Sequence, residues 1–114
     1  MSEKNDYKTM TDDELLEILW QIAADLGYIP RKRDIEDPQL KGQLRLRFGR
    51  WIYALEAAGF RIPSSEIWER RKHTNKKWKR VASRIEYYQT PEGRAAVQAR
   101  MDELGIRRTP IERT

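Results

Sequence analysis

The stretch Phe48-Gly49-Arg50-Trp51-Ile52-Tyr53-Ala54-Leu55-Glu56-Ala57-Ala58-Gly59 decides how this chain folds. Gly49 permits a tight turn after Phe48. Trp51, Ile52, Leu55 and Ala58 then line one side of a short helix, and Gly59 closes it. Immediately upstream, Asp37-Pro38 reads as an N-cap followed by proline at the first helical position. Leu40, Leu44 and Phe48 follow at i, i+4 and i+8, so one face of that helix is apolar. Its other faces carry Gln39, Lys41, Gln43, Arg45 and Arg47. Gly42 weakens this helix by about 1 kcal/mol relative to Ala unless a close approach to a backbone needs it.

Working outward, Thr11 and Glu14 form a capping box, and Asp12 and Asp13 suit the positive end of the helix dipole. Leu15, Leu16, Leu19, Ile22, Ala23 and Leu26 recur at helical spacing until Gly27, with Trp20 at the edge of the stripe. Tyr28-Ile29-Pro30 stops that helix. Arg31–Glu36 is long enough for one short helix anchored inward by Ile35. Three short helices after a longer one, with a sharp turn before the third, amount to helix-turn-helix organisation, in which Pro38–Phe48 takes the groove-reading position.

Past the boundary at Arg61-Ile62-Pro63-Ser64, Ser64 or Ser65 can cap one long helix to about Tyr88, with Ile67, Trp68, Trp78, Val81 and Ile85 as its apolar members. Thr90-Pro91-Glu92 starts a last helix patterned by Ala95, Val97, Met101 and Leu104 and ended by Gly105. The expected fold is all-α, a small helix-turn-helix-like domain followed by a basic helical hairpin tail. Its divisions are a disordered N-terminus over 1–10, the helical unit over 11–62, the hairpin over 63–106 and a frayed end over 107–114.

Charge is uneven along the 114 residues, whose net is +5. Residues 1–30 carry 2 basic and 7 acidic side chains, whereas 31–62 carry 8 and 4, and 63–89 carry 8 and 3. The excess over 31–89 is +9, and that is the footprint a phosphate backbone would feel. The chain holds no cysteine, which excludes disulfides, thiolate metal sites and thiol chemistry. Its polar N-terminus and the lack of a long apolar run point to a soluble, cytoplasmic protein with no membrane partner.

The stretch LLEILWQIAADLGYIPRKRDIED...LRLRFGRWIYALEAAGF, with Gly27, Pro30 and the spaced residues Phe48, Gly49, Trp51, Ala54, Leu55, Ala57, Ala58 and Gly59, resembles the homing endonuclease-associated repeat. The resemblance covers about half the chain. It implies a small helical DNA-binding module of the kind that accompanies HNH and related nucleases in phages and mobile elements. Arg50 stands where members commonly carry Ser or Asn, and Lys41-Gly42 where a hydroxyl residue is common. One copy is present, without a nuclease domain.

The residues expected to meet nucleic acid are Arg31, Lys32, Arg33, Gln39, Lys41, Gln43, Arg45, Arg47, Arg50, Lys76, Lys77, Lys79 and Arg80. Arginine and lysine can pair with guanine edges and glutamine with adenine, while the basic tract from Arg70 to Arg80 suits phosphate. Phe48, Trp51 and Leu55 read as core, as do Trp68 and Trp78. His73-x-Asn75 matches part of an HNH motif, but His73 is the single histidine and no acid–base or metal set accompanies it. No catalytic residue and no cofactor is therefore expected. Double-stranded DNA is the expected partner. The alternatives are RNA or single-stranded DNA, and a protein-interaction role in which Trp68, Trp78, Tyr87 and Tyr88 dock on a partner or form a homodimer through residues 65–105.

Overall fold

The computed structural model describes residues 6–108, and over them six α-helices form with no strand. The helices are α1 (Asp12–Leu26), α2 (Pro38–Phe48), α3 (Trp51–Ala58), α4 (Ser65–Thr74), α5 (Trp78–Gln89) and α6 (Pro91–Leu104). Local signals set the ends. Thr11 and Glu14 close a reciprocal capping box on α1, and Asp37 accepts from the Gln39 amide ahead of Pro38. Between α1 and α2, Lys32–Asp34 is a single 3-10 turn, with Ile35 buried behind it.

α3 sits at the centre, packed against α1, α2 and α5. It is rich in alanine, and Ala54, Ala57 and Ala58 are fully buried, so its neighbours approach its backbone closely. Trp20 on α1 donates its indole N–H to Ala58 O at 2.9 Å and packs its ring 4.4 Å from that of Phe60. Gly59, at φ +94°, ends α3 where a Cβ would stand 3.0 Å from Tyr88 and Val97. Close packing of α5 and α6 on that turn requires glycine.

Three sequence expectations change. The helix from Ser64 does not run to Tyr88 but stops at Thr74, and α5 begins at Trp78. Asn75 makes the break: its side chain is buried and accepts from the Lys77 amide, a local bond that competes with helix continuation. The basic tract is thus divided between two helices.

The described part of the expected disordered N-terminus, residues 6–10, is folded. Tyr7–Thr9 form a 3-10 turn, and the buried Tyr7 donates its hydroxyl to Asp37 at 2.7 Å. Of the expected frayed end, residues 107 and 108 are paired to the body of the protein, and 109–114 lie outside the described residues. The Arg107 amide donates to Gly27 O, and its carbonyl accepts from Ile29.

The hairpin is no appendage. Trp68, Val81, Ile85, Val97 and Met101 join the same core as Leu15, Leu19, Leu44 and Phe48. Within α6, Val97 and Met101 face that core, whereas Ala95 is exposed.

Candidate nucleic-acid interface

Two grooves flank α2, and their electrostatics differ. The larger, about 890 Å³, lies beside Gln43, Leu46 and Arg47 and is bordered by Asp12, Asp13, Arg80 and Arg84. Both of its carboxylates are engaged, and among its cations only Lys8 forms no ion pair with a described residue. Arg47 and Arg80 both pair with Asp12, at 3.0 and 2.8 Å, and Arg84 pairs with Asp13. Burial alone would raise the Asp12 carboxyl, but hydrogen bonds from Arg80 and Arg47 outweigh it and hold that group below its ordinary range.

The second groove, about 650 Å³, is bordered by Lys32, Lys41, Arg45, Arg50 and Lys77 with no carboxylate among its lining residues. None of these five cations forms an ion pair with a described residue. Unpaired like charges around a concave surface focus a positive potential into it. Gly42 and Pro38 supply part of the wall from α2, and Gly49, Trp51 and Ala54 supply the rest from the α2–α3 turn and α3. Gly42 points into open space, where a Cβ would meet nothing within 4 Å. Its missing side chain therefore serves no packing need inside the protein and leaves the groove wall open between Lys41 and Arg45.

The expected site residues thus divide. Lys32, Lys41, Arg45, Arg50 and Lys77 come together. Gln39, Arg33 and Lys76 are exposed but do not line this groove, and Lys79 lies over the Trp78 ring. Gln43 is turned to the other flank, where its Oε1 accepts from Arg47.

Arg31 is held by Asp34 in a 3.0 Å pair and lies over the Tyr28 ring, and the Arg31 hydrogen bond keeps the Asp34 carboxyl below its usual range. Arg80 is bound to Asp12, so it is turned away from the second groove.

Arg47 departs furthest from its expected role. It is 9% exposed, and besides Asp12 and Gln43 its guanidinium donates to Tyr7 O and Lys8 O. It clamps the N-terminal turn, α1 and α2 together and is not available as a free contact. Its position explains this: residue 47 follows Leu44 by three and Leu40 by seven, on the border of the buried face of α2.

The aromatic tail is also largely internal. Trp68 is buried, Trp78 and Tyr88 pack against the core, and of the four only Tyr87 is well exposed, at 49%. Lys72 lies over both indoles, 5.7 Å from Trp68 and 5.6 Å from Trp78. His73 is exposed and Asn75 acts as the C-cap of α4, so the HNH-like fragment builds no site. Among the described residues no helix is long and apolar enough to cross a membrane.

Two cations bordering a neighbouring groove, Arg61 and Arg108, carried no legible signal. Both lie in connecting segments: Arg61 follows the buried Phe60, and the pairing of Arg107 with Gly27 and Ile29 returns Arg108 to the body of the protein.

Comparison with known families matches residues 10–61 to the homing endonuclease associated repeat. The match spans α1 to α3, including all of the second groove's wall except Lys77. It links the chain to homing endonucleases and the mobile elements that carry them. No curated protein and no solved structure matches the chain.

Proposed function

With residues 10–61 forming a homing endonuclease associated repeat, we propose that this protein is a non-catalytic binder of double-stranded DNA. α2 lies in the major groove and the cationic groove beside it receives the phosphate backbone. The observation that carries this reading is the set of five unpaired cations around one groove without a carboxylate. Phosphate contacts supply most of the affinity of such an interface, and base-edge contacts supply selectivity. Lys41 and Arg45 reach guanine edges or phosphates from the α2 side, with Gln39 at the start of the helix as the remaining amide reader. Arg50 and Lys32 flank the turn, and Lys77 brings the tail to the same strand.

A labelled duplex titrated at two salt concentrations tests the reading. Wild-type protein binds at low salt and weakens steeply as salt rises. The double variant Lys41→Ala, Arg45→Ala lowers the slope of log K against log salt by about 2, from ~0.9 per phosphate contact. Absence of binding at low salt, or a double variant indistinguishable from wild type, rejects it. Competition with single-stranded DNA and RNA separates duplex recognition from the other nucleic-acid readings.

A further inference from the structure

The cationic groove does not end at Trp51. Lys32 and Trp51 form a shared wall, and behind it lies another groove of about 620 Å³ between the Ile29–Lys32 segment, α3 and the start of α4. Five cations line it: Arg31, Lys32, Arg61, Arg71 and Arg108. Its single carboxylate, Glu56, is 2% exposed and already held by Arg71 at 2.6 Å. Arg31 is likewise paired with Asp34.

Lys32, Arg61 and Arg108 form no ion pair with a described residue, and only Arg61 feels the charge of Glu56, at longer range. Arg108 is held in place by neutral acceptors, the Phe60 carbonyl and the Gln98 side-chain oxygen, so it is positioned without losing its charge. The side chain of Arg61 is exposed and makes no hydrogen bond to a described residue. Two adjoining concave surfaces, both with free cations and neither with a free carboxylate, are complementary to one continuous polyanion.

We infer that the groove bordered by Arg61 and Arg108 is a second phosphate subsite, receiving the DNA backbone as it leaves the α2 groove past Lys32. This rests on the proposed DNA-binding reading and extends it. Arg108 lies outside the matched repeat, and Arg61 is its last residue. The subsite is thus completed by segments the repeat does not supply. It would give this chain a longer footprint than the repeat alone.

The test compares wild type, Arg61→Ala, the double variant Arg61→Ala, Arg108→Gln, and Lys41→Ala, Arg45→Ala on one long duplex across a salt series. Arg61→Ala lowers the salt slope by about 1 and the second substitution lowers it by about 1 more, at ~0.9 per phosphate. Affinity falls several-fold at each step. Thermal melting of each variant accompanies the titration, and Arg61→Ala carries the test should loss of the Arg108 hydrogen bonds loosen the fold. If both Arg61 variants retain wild-type slope and affinity while Lys41→Ala, Arg45→Ala loses binding, the second subsite is wrong and the α2 groove stands. A slope change seen with single-stranded but not duplex DNA also overturns it. If wild type binds no duplex, both readings fall together.

Discussion

The carboxylate of Glu56, 2% exposed on α3, meets the guanidinium of Arg71 on α4 at 2.6 Å, while that guanidinium lies 4.6 Å from the centre of the Tyr53 ring. This contact fastens the C-terminal helices to the repeat. Burial pushes the Glu56 carboxyl above its ordinary range, and the hydrogen bond from Arg71 opposes that push without cancelling it.

Removing Arg71 leaves a buried carboxylate without its partner. Arg71→Ala is expected to cost about 3–5 kcal/mol, and Glu56→Gln much less, because it removes the charge and keeps the shape. A group whose pKa is raised on folding binds its proton more readily in the folded state. Its contribution is therefore most favourable at low pH and is lost as pH rises through the raised value. The stability gap between wild type and Arg71→Ala should narrow as pH falls from 7 towards 4 in urea melts. A constant or widening gap would refute this assignment. Asp12, Glu17, Asp34 and Asp37 act in the opposite sense: their carboxyls are depressed on folding, and their stabilisation disappears as pH falls through those lowered values.

Arg47 should behave as a structural residue. Arg47→Ala strips donors from Tyr7 O, Lys8 O and Asp12, and its expected cost is about 2–4 kcal/mol. Duplex affinity of the folded fraction should be unchanged. A stable variant that has lost DNA binding would instead make Arg47 a direct contact.

Gly42→Ala separates stability from binding. The added methyl meets nothing within 4 Å, so the helix gains about 1 kcal/mol. The same methyl projects into the groove between Lys41 and Arg45, and duplex affinity should fall. Higher melting temperature with undiminished affinity would show that DNA does not approach the helix there.

A fragment ending at residue 62 should not fold as a cooperative unit. It would expose the Gly59 turn, remove Arg100 from its position 4.5 Å over the Trp20 ring, and leave Glu56 without Arg71. Its thermal melt, followed by circular dichroism, should lack a sharp transition. A melt matching that of the full chain would refute the interdependence.

What was legible in the sequence was local. Thr11 with Glu14, Asp37 with Pro38, and glycines at 27, 59 and 105 fix helix ends through bonds within a few residues, and these ends lie where the pattern puts them. Lys41 and Arg45 share one side of α2 by the same helical spacing, whereas Arg50 joins them only through the turn at Gly49. Long-range pairing was not legible. Nothing near Arg47 shows that its partner is Asp12, 35 residues away, and nothing near Arg80 shows that it shares the same carboxylate. Asn75 sits in a dense run of charge that reads equally well as one helix. Its role depends on a polar side chain that is buried and bonded to the Lys77 amide, a pairing that spacing does not reveal.

That break has a consequence for the field around the molecule. Because α4 ends at Asn75, Lys77 stands at the start of α5 and borders the groove with Lys41 and Arg45. Were the helix continuous, the same lysine would be carried to a different azimuth and the groove would lose a fifth of its cations. An uncharged residue thus governs where positive potential accumulates, and an isoelectric substitution at 75 could redraw the protein's electrostatic surface without altering its net charge.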